Sequence, residues 1–313
     1  MAKAREIKRR IRSIDNTRQI TKTMEMVAAS KLKRAQDRVV AARPFDEFMR
    51  QVIASVREGA SEELGDFPLL RQSGVSGKVG ILVVTSNRGL AGAFNANLVK
   101  AARAHMKKLR AEGQEIELHV IGKKGAGMLR YLGDEPERTI ADLPDRPSYE
   151  DAGRIAEPLI EGFLEERLDA VYLVYSLFKS PVEQRPAVAQ LLPLPDATDA
   201  VPAAPEATRP GQEPEARREA GAEHRYLPIY EFLPSPPAIL GQLLPLFLRY
   251  GVYRAVSESA ASEHGARRTA MKNATDNAKE LIRSLTRTYN RARQAQITQE
   301  IAELVGGAEA LKG

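Results

Sequence analysis

Residues 1–43 contain neither Gly nor Pro, and neither do residues 266–305. Nothing else in the chain limits its fold as tightly, because these two residue types most readily end or weaken a helix. At 1.5 Å rise per residue, unbroken helices there would run roughly 65 Å and roughly 60 Å. Ordinary globular helices average about three turns. The first stretch carries Ile7, Ile11, Ile14, Thr17, Ile20 or Thr21, Met24, Ala28, Leu32, Ala35 and Val39. The second carries Met271, Ala274, Ala278, Leu281 or Ile282, Leu285, Tyr289 and Ala292. Steps of three and four make a coiled-coil seam. Both seams are narrow and rich in small residues, which lets two helices approach closely. The pattern predicts an antiparallel shaft, and a shaft points to mechanical coupling rather than to a pocket for chemistry. The first helix continues past Pro44 to about Glu58, with a kink expected at the proline.

Between the rods the pattern changes. Lys78 to Ser86 is a continuous apolar run and reads as a buried strand. A loop at Asn87-Arg88-Gly89 follows, then a helix from about Leu90 to Ala111. Glu117 to Ile121 reads as a strand, Gly122 to Tyr131 as a short helix, and Pro147 to Glu166 as a third helix. Asp169 to Leu177 is a β-branched and aromatic strand, and Val182 to Leu192 its antiparallel partner. Strands alternating with helices predict an α/β domain with a doubly wound, Rossmann-like sheet. Pro193 to Glu223 holds six Pro and almost no large apolar residue. Such a segment cannot offset its ordering entropy by burial and is expected to be a flexible insertion. Tyr226 to Phe232 returns to strand-like composition. From about Pro237 a helix carries Leu240, Leu243, Leu244, Phe247 and Leu248 on one face, with bends expected at Pro245 and Gly251. The expected domains are a helix over 1–58, an α/β domain over 75–235 with a flexible insertion at 195–223, and a helix over 237–313.

Charge is uneven. The formal net charge is +6, yet residues 1–43 alone carry +9 and residues 266–305 carry +4, so the middle is acidic on balance. Basic rods suggest a partner with an acidic surface. Nucleic acid is one alternative: Lys8, Arg9, Arg10 and Arg12 could contact phosphates. But the charges interleave with a regular apolar seam, and no aromatic platform accompanies them. No run of eighteen apolar residues could span a membrane, and no signal-peptide pattern opens the chain.

The chemistry-bearing residues do not converge. The chain has no Cys, and His105, His119, His224 and His264 are not at metal-ligand spacing. The stretches Asn87 to Gly92 and Gly122 to Gly127 each follow a strand, the position of a phosphate loop. Neither has the spacing of a nucleotide motif, so tight strand-to-helix turns are favoured. No catalytic constellation, cofactor site or metal site is expected.

At the ends the sequence becomes specific. Ile7 to Met24 (IKRRIRSIDNTRQITKTM), with its continuation Glu25 to Gln36, resembles the opening helix of the gamma subunit of F-type ATP synthases. Tyr289 to Ala308 (YNRARQAQITQEIAELVGGA) resembles that family's C-terminal signature, with Ile297, Thr298, Glu300, Glu303, Gly307 and Ala308 at its fixed places. Ser86 to Leu90 and Gln190 to Pro195 fit as well. The resemblance covers the whole chain except the Pro-rich insertion.

It implies a non-catalytic, essential rotor subunit, one copy per complex. Its partners would be a ring of alpha and beta subunits, the epsilon subunit and the membrane c-type rotor ring, with no nucleic acid. Its place would be peripheral, at the cytoplasmic face of the cell membrane. Arg293, Gln294, Thr298 and Glu300 match positions that meet a loop of beta, and Met24 matches a position near the same contact. Tyr230 and Glu231 match the region that faces the rotor ring and epsilon. Photosynthetic relatives carry a regulatory insertion, with a cysteine pair in chloroplasts; without Cys, thiol control is excluded here.

Overall fold

Both Gly- and Pro-free ends form long helices. In the computed structural model, α1 spans Ala2–Gly59 and α5 spans Pro236–Ala310. The structure describes residues 2–59, 68–70, 77–194 and 235–310. The Pro-rich insertion and the strand-like stretch at 226–232 lie outside them. Pro44 falls inside α1 and Pro245 inside α5, and neither ends its helix. One missing backbone donor is tolerated where long flanking helical runs hold the axis.

The chain divides into two compact units. One comprises Met1–Ala29 with Arg267–Gly313, the other Ser30–Ala266. Residues 30–58 and 237–266, read from sequence as parts of the terminal rods, therefore lie in the unit that holds the sheet.

In the helical unit, α1 turns Ile7, Ile11, Ile14, Arg18, Thr21 and Met24 to a half-buried stripe and buries Ala28. Thr17 is exposed and Ile20 is 60% exposed, so the expected seam shifts to Arg18 and Thr21. A step of four followed by three keeps the stripe on one face, whereas Ile14 to Thr17 to Ile20 would let it drift. Arg18 can occupy the seam because its stem covers apolar surface while its Nε bonds Asp15 Oδ1 at 2.9 Å. On α5 the seam runs Met271, Thr275, Ala278, Ile282, Leu285, Tyr289, Ala292 and Gln296, alternating steps of four and three. Ile282 rather than Leu281 is the seam residue, since Leu281 is 50% exposed. Thr275 Oγ1 donates to Thr21 Oγ1 across the seam at 2.9 Å.

The other unit is built on five strands in the order β3-β2-β1-β4-β5. β1 (Lys78–Val84), β2 (Glu115–Ile121), β3 (Arg138–Ile140) and β4 (Ala170–Phe178) are parallel, and β5 (Gln184–Leu192) is antiparallel to β4. Chain order reverses at β1, which makes the sheet doubly wound. The connecting helices are α2 (Phe94–Ala111), α3 (Lys123–Tyr131) and α4 (Tyr149–Leu164), with a 3₁₀ turn at Pro68–Leu70. Alternate residues of β1 feed two cores. Val79, Ile81 and Val83 pack with Leu98, Ala102 and Met106 of α2 and Leu129 of α3. Leu82 and Val84 join Leu159 and Phe163 of α4 and Leu240, Leu244 and Leu248 of α5. Each fully buried side chain of this kind contributes about 1.5–3 kcal/mol.

Among the described residues, the strands and helices expected between Lys78 and Leu192 form, with two differences. α2 starts at Phe94 rather than Leu90, because Leu90 (φ 64°) and Gly92 (φ 57°) adopt left-handed backbone that no helix accepts. β3 carried no apolar run to announce it. Its three residues are held by register with β2, His119 opposite Arg138 and Ile121 opposite Ile140. α4 opens with a capping box: Ser148 Oγ accepts the Asp151 N–H at 3.1 Å, and Asp151 Oδ2 accepts the Ser148 N–H at 2.9 Å.

Candidate functional site

The residues singled out near the C-terminus lie on α5, off the seam. Arg293, Gln294, Thr298 and Glu300 are all exposed, while Ala292 and Gln296 face inward. With 3.6 residues per turn, Glu300 stands two turns beyond Arg293 on nearly the same face, and Thr298 one turn beyond Gln294 on the neighbouring face. The group is therefore a polar strip with two edges. Thr298 Oγ1 donates to the Gln294 carbonyl at 3.0 Å, and Gln296 Nε2 donates to Glu300 Oε1 at 2.9 Å. Among the described residues the Arg293 guanidinium has no partner, so its fork of donors faces outward, suited to a carboxylate.

Met24 is not part of that strip. It is half-buried on the α1 seam, one turn from Thr21, and Thr21 is bonded to Thr275. Arg293 lies eighteen residues beyond Thr275, roughly 27 Å along α5. Met24 and Arg293 are thus separate stations on the helical unit. Tyr230 and Glu231 lie outside the described residues.

The glycine-containing turn from Gly122 to Gly127 proves to be closed by the protein itself. The N-terminus of α3 would be the natural anion site, yet its amides are already engaged. Lys123 N–H donates to Asn87 Oδ1 at 3.1 Å, Lys124 N–H to the Ser86 carbonyl at 3.1 Å, and Gly125 N–H to Thr85 Oγ1 at 3.2 Å. Asn87 also donates from Nδ2 to the Ala141 carbonyl at 2.9 Å, tying β1 to the end of β3. A Cβ on Gly125 would stand 2.3 Å from Thr85 Oγ1, and Gly122 (φ 98°) sits against the Thr85 carbonyl. The glycines exist for close approach of helix to strand. A cleft of about 400 Å³ remains at the carboxyl ends of the strands, lined by Ser86, Arg88, Lys123, Asp145 and His264 among others. Asp145 is paired with Lys31 of α1, whose ammonium holds the carboxyl below the usual range.

Two further polar groups sit in the sheet unit. Glu117, buried on β2, accepts from Lys78 Nζ at 2.8 Å and bonds His119 Nε2 at 2.9 Å. Burial alone would raise its pKa, but these two partners outweigh burial and hold it below the ordinary carboxylate value. His105 on α2 meets the ring of Tyr172 edge-on at 4.5 Å, and burial pushes its pKa down. No group of three or more His, Cys, Asp or Glu among the described residues could hold a metal ion. No helix among them is long and apolar enough to cross a membrane.

Sequence reading missed one buried cluster, Asp46 with Arg254 and Glu258. A signal was present: Arg254 and Glu258 are one turn apart on a helix face otherwise made of Leu240, Leu244, Leu248, Val252 and Ala255.

A two-helix seam that carries outward polar groups, built into the same chain as a doubly wound sheet, defines a shaft-type protein that acts by surface contact. A family model described as ATP synthase matches residues 3–311. The ATP synthase gamma chain of Gemmatimonas aurantiaca is 49% identical over 314 residues, covering 100% of both chains. Those of a Cyanothece species and of Streptomyces coelicolor are 43% and 39% identical, covering 100% and 99% of this chain and 100% and 96% of theirs. This chain belongs to the ATP synthase gamma chain family. Among solved structures, the rotor of the Euglena gracilis mitochondrial ATP synthase shares the fold with a TM-score of 0.61 at 21% identity, covering 95% of this chain and 99% of that one. The central stalk of the Tetrahymena thermophila enzyme does so at 0.55 and 22%, covering 82% and 99%. The match leaves the nucleic-acid alternative without support.

Proposed function

We propose that this chain is the rotor shaft of an F-type ATP synthase, coupling proton flow through a membrane sector to ATP synthesis or hydrolysis on other subunits. The full-length likeness to gamma chains carries this reading. The chain is non-catalytic. It stands once in a ring of alpha and beta subunits, meets epsilon and the c-type ring, and is held peripherally at the membrane. Tyr230 and Glu231 are assigned to the contact with the rotor ring and epsilon by their match to gamma chains.

The work done is a population shift. A shaft can favour one beta conformation only by contacting the conformations differently. Arg293, Gln294, Thr298 and Glu300 supply such contacts, because exposed polar groups on a rigid helix meet each beta subunit only in some rotary positions. A charge-assisted hydrogen bond there is worth about 1.5–3 kcal/mol. Met24 serves as a second station, where an unbranched side chain keeps the seam close.

Mixing the chain with cognate alpha and beta subunits tests this. A complex whose ATPase depends on the chain is expected. In Arg293→Ala/Gln294→Ala, turnover should fall about tenfold or more, since about 1.4 kcal/mol is a decade in rate. Assembly with unchanged turnover would reject these residues, and failure to join an alpha–beta ring would reject the rotor reading.

A further inference from the structure

Beside the sheet, α1 and α5 are joined by a buried ionic triad. Arg254 of α5 donates from Nη1 to Asp46 Oδ2 of α1 at 2.7 Å and from Nε to Glu258 Oε1 at 3.0 Å. The three side chains are 7%, 11% and 1% exposed. Glu258 Oε2 in turn accepts the Phe178 N–H of β4 at 3.4 Å. Around the triad, α5 grips β4 at Ser176, whose N–H donates to Ser259 Oγ at 3.0 Å and whose carbonyl accepts from Ser262 Oγ at 3.1 Å. The Tyr250 hydroxyl also donates to the Ala42 carbonyl of α1.

Stability does not explain charges at this place. Desolvation of such a triad is so costly that apolar residues of similar volume are generally as stable or more so. What directional bonds add is angular definition. Leucine packing is non-directional, so small rolls of a helix about its own axis change its buried area little. A guanidinium fork weakens steeply when its partners rotate out of line. Here one guanidinium fixes α1 and α5 together, and its partner Glu258 fixes α5 to β4. Both helices contribute residues to both compact units.

Resting on the rotor reading, we propose that Asp46, Arg254 and Glu258 form a torsional clamp, positioning residues that deliver torque applied at the sheet unit to both helices instead of letting it dissipate as helix rolling. The observable consequence is coupling under load, separable from hydrolysis and from folding.

The test uses the complete enzyme in sealed vesicles, with ATP hydrolysis and ATP-driven proton uptake measured together. Asp46→Leu/Arg254→Met/Glu258→Gln removes the charges and keeps volume and the acceptor for Phe178. It is expected to assemble and to hydrolyse ATP within about twofold of wild type, because apolar replacement of a buried triad is near neutral. Protons pumped per ATP against a gradient should fall about threefold or more, with Arg254→Lys intermediate because an ammonium keeps the charge but lacks the rigid planar fork that fixes direction. A wild-type ratio in both variants would overturn the clamp. So would hydrolysis and pumping falling together with the ratio intact, the mark of a merely structural role. If the triple variant does not assemble, Arg254→Lys decides alone, and a wild-type ratio there overturns the proposal. A wild-type complex that hydrolyses but does not pump would reject the rotor reading itself, and the clamp with it.

Discussion

Gly125 shows how far a single residue can be constrained without any role in chemistry. Its missing side chain lets the first turn of α3 close onto Thr85, and a Cβ would stand 2.3 Å from Thr85 Oγ1. Gly125→Ala should therefore cost about 1–3 kcal/mol, the usual price of overpacking a tight site; urea unfolding followed by circular dichroism would show it, and an unchanged midpoint would refute the contact. His105 gives a pH signature. Its Nε2 is buried without a hydrogen-bond partner among the described residues, and burial, with help from Lys108, lowers its pKa below the ordinary 6.5. The unfolded chain then binds the proton more readily than the folded one. The stabilisation is complete above pH 6.5 and is lost as pH falls through the lowered folded-state value. His105→Phe should flatten the stability curve in that window, and an equally steep curve in the variant would contradict this.

At the scale of elements, the helical seam was legible in outline and wrong in detail. Three-and-four spacing located both long helices and left Ile20 or Thr21 and Leu281 or Ile282 open, which burial decides for Thr21 and Ile282, but it placed Thr17 where the seam holds Arg18. The reason is physical. Phase along a long helix is set by the sum of all contacts, and a long basic side chain can hold a seam position with its stem. The burial pattern makes a contrast testable. Ala278 is 8% exposed on the α5 seam, so Ala278→Leu should destabilise the helical unit by about 1–3 kcal/mol. Leu281→Ala, three residues on and half exposed, should change stability by less than about 0.5 kcal/mol. Melting of the helical circular dichroism signal in the two variants distinguishes them, and equal midpoints would mean the seam is misassigned. β3 was invisible for a different reason: three residues carry no period, and only pairing with β2 defines them.

For the whole molecule, alternating strands and helices sufficed to read the doubly wound sheet, since each buried parallel strand declares itself as an apolar run. The candidate contacts on α5 came from resemblance, because exposed polar residues carry no local signal of partnership. The charges at Arg254 and Glu258 on an apolar face were legible, but their partner Asp46 was not. The Asp46–Arg254 pair joins residues 208 positions apart, and nothing in either helix alone says which acid will meet which base. The central claim, that this chain turns inside a ring of other subunits, can be watched directly. The chain contains no cysteine, so Tyr131→Cys at a site 91% exposed in the sheet unit provides a single thiol for a bead. With the alpha–beta ring fixed to glass and ATP added, the bead is expected to rotate in one direction in steps. Steady ATP hydrolysis by complexes whose attached beads never rotate would contradict the rotor function.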